Sequence, residues 1–194
     1  MAMNIDRVYK RPQQAHLFDY TIQCVQDGLA GLSWLNHIFG RSERLVRQTV
    51  DGQRAYSPNV YLGNEEYIPL TPDNTELGNY CFFVMDEPQM VGLGMGVQNR
   101  IRSPFSLVVW CDMRTVEQGD KRDTEAIKEE VLKAVRKAWI KKGSVTLERI
   151  YERAENVFQG FSLDEVDNQF LMAPYWGMRV TGEIAVDEDC TENV

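Results

Sequence analysis

The spacing Gly92-x-Gly94-x-Gly96 is the pattern in this chain closest to a phosphate cradle. A phosphate site needs a glycine turn that opens into a helix N-terminus, where free backbone N–H groups point at the anion. Here the glycines run on through Val97-Gln98-Asn99-Arg100-Ile101-Arg102-Ser103-Pro104 into an apolar strand pattern. No Lys-Ser or Lys-Thr pair follows them, and the dinucleotide fingerprint is missing. The run therefore reads as an interaction loop. The two histidines are no better placed for chemistry. His16 precedes an apolar helix pattern, and His37 falls at that pattern's end, near Trp34. Neither accompanies a G-x-S-x-G nucleophile or an HExxH zinc helix, so both read as capping, surface or part-buried side chains.

The carboxylates are many but scattered. Glu65-Glu66, Asp86-Glu87 and Glu148 with Glu152 are the pairs to weigh as ligands for a divalent cation. Hard cations need several oxygens converging on one point, and nothing in these spacings enforces that. Cys24, Cys81, Cys111 and Cys190 include no CxxC pair, and Cys81 and Cys111 lie inside apolar runs. They read as reduced structural thiols of a cytosolic protein. No catalytic, cofactor-binding or metal-ligating residue is assigned, and the expectation is a protein that is not an enzyme and carries no cofactor.

The elements behind these residues are clearer. The chain has 194 residues, 43% apolar and 26% charged, enough for one domain with a sizeable core. Ile22, Val25, Leu29, Leu32, Leu35 and Ile38 recur every three or four residues and predict a helix over 19–39, stopped by Gly40. Gly28 and Gly31 within it predict close approach to a neighbour. A short helix is expected at 3–10. Asp51-Gly52 predicts a two-residue hairpin turn between strands at 44–50 and 53–56. A second hairpin is expected about Gly63-Asn64, with Pro58 and Pro69 marking edge strands. Thr71-Pro72-Asp73-Asn74 reads as a turn.

Two continuous apolar runs, Tyr80-Cys81-Phe82-Phe83-Val84-Met85 and Phe105-Ser106-Leu107-Val108-Val109-Trp110-Cys111, predict buried strands. Between them, residues 87–102 form an apolar, glycine-rich connection. The stretch 123–142 is a long amphipathic helix pattern, acidic early and basic late, with Ile127, Val131, Val135, Ala138 and Trp139 on one face. A strand is expected at 146–153. Ser162 should cap a short helix that runs to Phe170. A closing strand is expected over 174–186, carrying Met178, Val180, Ile184 and Val186 about Gly182. The fold class is α+β: one domain over 19–186, mainly antiparallel sheet, with an N-terminal helix and one long helix packed on it. Residues 1–18 form an extension and 187–194 an acidic tail.

A net charge of -8 disfavours general nucleic-acid binding, because it repels a phosphate backbone. The opening residues have no apolar signal core, and no apolar run reaches the ~20 residues of a membrane span. Tyr56, Tyr61, Tyr67, Tyr175 and Trp176 fall in turn or edge contexts, where they serve either as interface residues or as core caps.

The order of elements, with the strand–helix pair over 105–143 and the closing strand Tyr175-Trp176-Gly177-Met178-Arg179-Val180-Thr181-Gly182-Glu183-Ile184, resembles the neck and tail-completion proteins of tailed bacteriophages. These include tail terminators and head–tail joining proteins. The resemblance implies a structural subunit that forms a ring at the head–tail junction. Its partners would be its own copies and other virion assembly proteins. It would act in the virion or the host cytoplasm, without a membrane and without gripping the DNA it surrounds. The expected contact residues are Met90, Val91, Leu93, Met95 and Val97 in the loop, Asp51 and Gly52 in the hairpin, and Tyr61, Tyr175 and Trp176. Two other readings are a small metal-dependent enzyme using sheet-edge carboxylates, and a module binding a ligand under the 87–102 loop.

Overall fold

The computed structural model describes residues 8–9, 15–49, 51–63, 65–93, 99–116 and 123–187. Its elements in chain order are β1 (Val8–Tyr9), α1 (Phe18–Leu29), β2 (His37–Arg41), β3 (Glu43–Gln48), β4 (Arg54–Gly63), β5 (Glu66–Pro69), β6 (Tyr80–Met85), β7 (Met90–Leu93), β8 (Asn99–Asp112), α2 (Thr124–Lys137), β9 (Ser144–Tyr151), α3 (Ala154–Val157) and β10 (Tyr175–Asp187). Short 3-10 turns lie at Thr75–Leu77 and Asn168–Leu171.

The architecture is α+β, as the residue patterns predict. A main sheet runs β1-β2-β6-β8-β10-β9, with β7 also on β8, and a smaller sheet runs β3-β4-β5. β2 pairs in parallel with β1 and β6, and the remaining pairings are antiparallel. The chain passes from one sheet to the other at Ser42, whose backbone N–H and hydroxyl both donate to the Phe83 carbonyl, at 2.7 and 3.0 Å.

The two apolar runs are continuous because both faces of the main sheet are covered. On one face Phe105, Leu107, Val109 and Cys111 of β8 meet Ile22, Val25 and Leu29 of α1 and Ile127, Val131 and Val135 of α2. On the other, Phe82, Val108 and Trp110 meet Val60, Leu70 and Phe158. Met178, Val180, Ile184 and Val186 of β10 all belong to the helix-covered face. Asp123 begins α2 as expected, its carboxylate accepting from the Ala126 N–H at 3.1 Å. Both hairpins form, and Asn74 N–H donates to Thr71 in the predicted turn.

Several expectations are corrected. The helix over 19–39 ends at Leu29, and Gly40 lies inside β2. Leu32 and Leu35 do reach the same core, but from turns, which is why their spacing imitates a helix. Asn79 holds the new direction: its carbonyl accepts from the N–H groups of Asn36 and His37. His37 is thus a buried strand residue, its Nδ1 paired with the Leu77 carbonyl. Residues 8–9 form a strand on β2 where a helix was expected; the rest of that stretch lies outside the described residues.

The long helix stops at Lys137, five residues early. The chain must turn back into β9 by Ser144, and Ala138 leaves the helix with ψ at 121°. Trp139 therefore misses the apolar face and stands 79% exposed. Ser162 caps no helix; its hydroxyl accepts from Tyr56 N–H of β4 at 3.0 Å, while the local helix is α3. Pro58 sits on the middle strand of the small sheet rather than an edge. Its carbonyl accepts from Leu70, one residue past β5, so its missing N–H falls where the ladder ends. The Asp51-Gly52 connection is longer than two residues, since pairing stops at Gln48 with Arg54. Gly52 there has φ at 77°, the left-handed region that glycine adopts freely.

Candidate functional site

Residues 90–93 and 99–102 of the 87–102 connection form an arm. β7 pairs with the first residues of β8, Met90 opposite Arg102 and Leu93 opposite Asn99. β10 continues alongside as far as Asp187 opposite Arg100. The main sheet is thereby prolonged into a narrow three-strand extension. Arg100 fixes its root by donating to the Ser144 hydroxyl at 2.8 Å and by pairing with Asp187 at 3.6 Å. Met90 is 50% and Val91 76% exposed, so the arm carries apolar side chains into solvent. On β7's outer side no strand pairs among the described residues, which leaves a free hydrogen-bonding edge.

The opposite end of the same strands is built differently. Tyr175 opens β10 opposite Asp112, the last residue of β8. Its ring packs tilted against Phe170, with centroids 5.2 Å apart and planes at 55°, and Arg114 lies over it at 5.6 Å. Arg114 in turn forms a bidentate pair with Asp112. The Trp176 indole donates to Glu152 at 3.3 Å. From Arg102 to Asp112 is ten residue steps of strand, about 33 Å. Tyr175 and Trp176 therefore lie far from Met90 and Val91, and the expected contact residues do not form one site.

The remaining ones divide further. Asp51 and Gly52 are exposed at the tip of the β3 and β4 hairpin. Tyr61 pairs with Tyr67 across β4 and β5 at 5.1 Å, both exposed. Met95 and Val97 lie outside the described residues. The carboxylates weighed for a cation stay apart: no group of three or more His, Cys, Asp or Glu side chains gathers around a point among the described residues.

No protein-family model matches this chain, and no curated protein sequence matches it.

Two features escaped the sequence reading. One is Arg179, which is only 4% exposed at the centre of β10. Its Nη1 donates to the Gln159 carbonyl at 2.7 Å, and its Nη2 lies 3.6 Å from the Asp86 carboxylate. Ser106 also donates to that carboxylate, at 3.1 Å. Burial lowers the pKa of the guanidinium, and Asp86 opposes the shift. The pair borders a cleft between the two sheets, lined by Arg41, Ser42, Tyr61, Asp86, Gln159 and Phe161. The other is a trough past the end of β9, formed by α3 and residues 163–171. Neither left a periodic signal. Arg179 is one charged residue inside the closing strand pattern, and α3 has only four residues.

No helix among the described residues is long and apolar enough to cross a membrane.

Proposed function

We propose that this chain is a non-enzymatic structural subunit that assembles with copies of itself into a ring, at the neck or tail of a tailed phage or prophage. The observation that carries this reading is that one long sheet has two unlike ends, an arm bearing exposed Met90 and Val91 and an aromatic end built on Tyr175 and Trp176. A ring subunit needs two different, complementary surfaces, because identical patches close into a dimer. Exposed apolar side chains beside a free strand edge are the usual material of such a contact.

The net charge of -8 suits a channel that lets DNA pass without holding it. The residue order that resembles phage neck and tail-completion proteins supports the same role, with action in the virion or the host cytoplasm.

The arm tests this directly. Met90→Lys with Val91→Lys should leave the melting temperature within a few degrees, since both side chains are exposed, and should abolish self-association. Unaltered self-association in that variant would remove the arm from the contact.

A further inference from the structure

Two features remain outside that account, and they lie at opposite ends of one strand. Trp139 is the most exposed of the described large apolar side chains. It follows the last turn of α2, among Arg136, Lys137, Lys141 and Lys142. Arg136, Lys137 and Lys141 make no ion pair among the described residues. In a chain of net charge -8, this is a concentrated cationic pole with a large aromatic at its centre.

Past the other end of β9 lies the trough, about 1070 Å³ in volume. Its walls carry Glu152, Glu155, Asp164, Glu165 and Asp167, with Leu163 among them, and Arg153 is its one cation. Some of this charge is already engaged. Glu152 accepts from Lys128 at 3.2 Å, Glu165 pairs with Arg47, and Asp167 accepts from the Gln169 amide at 2.9 Å. Glu155 and Asp164 have no such partner among the described residues. Exposed Met172 adds an apolar lip one residue beyond the lining.

We infer that the Trp139 pole of one copy docks into the acidic trough of the next copy. Charge complementarity argues for this occupant. Two chains that each carry -8 repel overall, so attraction requires a local match, and the free cations of one surface meet the free carboxylates of the other. The apolar parts match as well, since an indole buries roughly 150–250 Å² and needs Leu163 and Met172 more than it needs charge. Geometry sets the outcome. Lys128, early in α2, touches Glu152, so the trough lies at the start of α2 and the pole at its end. The eight residues of β9 separate them by about 25 Å. A contact between opposite ends is head to tail and propagates from copy to copy. This inference rests on the assembly reading above and adds which surfaces meet.

The test uses the full chain and three variants, with mass read by light scattering over a concentration series. Lys137→Glu with Lys141→Glu reverses the pole, and Glu155→Lys with Asp164→Lys reverses the trough. All four residues are exposed, so folding is unaffected, which far-ultraviolet circular dichroism checks. Each reversed chain alone should associate roughly tenfold or more weakly than wild type, and an equimolar mixture should recover, because each pole then meets an opposite trough. Trp139→Ala should weaken association roughly tenfold, and high salt should weaken the wild type. Association of the reversed chains at wild-type strength would overturn this docking and leave the assembly reading standing. A pole variant that weakens association beside a trough variant that does not, with no recovery on mixing, would assign the pole to another occupant, such as nucleic acid, and overturn it too. A wild type that stays monomeric throughout would instead remove the assembly reading itself.

Discussion

Gly28 of α1 lies against Ala134 of α2 so closely that a Cβ there would stand 2.5 Å from the Ala134 carbonyl oxygen. The two helices cover one face of the sheet together, and this contact sets their spacing. Alanine at position 28 would gain about 1 kcal/mol of helix propensity. A clash with backbone outweighs that, because a carbonyl cannot swing aside as a side chain does. Gly28→Ala is expected to lose about 1–3 kcal/mol net in urea unfolding. Gly31, whose added Cβ would meet nothing nearer than 3.6 Å, should accept alanine within about 0.5 kcal/mol.

Arg179 links three parts of the chain, from β10 to the Gln159 carbonyl and the Asp86 carboxylate. Arg179→Met keeps the stem and removes the donors. It should cost about 1–3 kcal/mol, less than a fully buried pair would, because the Asp86 side chain is 40% exposed. Adding Asp86→Asn should cost less than the sum of the two single changes, which a double-mutant cycle by denaturant unfolding measures.

Stability should fall in alkali. Burial, and secondarily Asp112, pushes the Cys111 thiol up to about 12, from an ordinary value near 9. Tyr80 is raised as well, by burial and then by Asp73. Between about 9 and about 12 the unfolded chain has lost the Cys111 proton and the folded one has kept it, so unfolding is favoured as pH rises through that window. Below it the effect vanishes. Cys111→Ala should flatten the slope of unfolding free energy against pH over that range. In the folded protein at neutral pH, Cys111 should resist alkylation that half-buried Cys24 accepts.

Asp123 is the side-chain cap of α2, whose buried face closes the core. Asp123→Ala should cost about 1 kcal/mol and Asp123→Asn much less, read as shifts in the thermal midpoint.

What the sequence made legible follows from how each element is built. β6, β8 and the start of α2 were readable because local residues decide them: unbroken apolar runs for two covered faces, and a carboxylate cap before an amphipathic stripe. The helix over 19–39 was overextended because Leu32 and Leu35 enter the same core at the same spacing from a different backbone. The arm was hidden because its strand pattern, Met90 to Leu93, is short and interrupted by Gly92. The Arg179 link comes from residues distant in sequence, Asp86, Gln159 and Arg179, which only the sheet order brings together, and the trough from a local stretch, 152–171, whose short turns carry no period. Of the expected contact residues, Met90, Val91, Asp51, Gly52 and Tyr61 are exposed, whereas Tyr175 and Trp176 are half-buried and engaged with Phe170 and Glu152.

The central claim is that the chain assembles with itself through two unlike ends. Mass by light scattering across a concentration series, with and without Mg²⁺, tests it most directly. The account predicts a rise to a fixed multiple of the 22.4 kDa chain that is indifferent to the metal. A particle of 22.4 kDa at every concentration would contradict it.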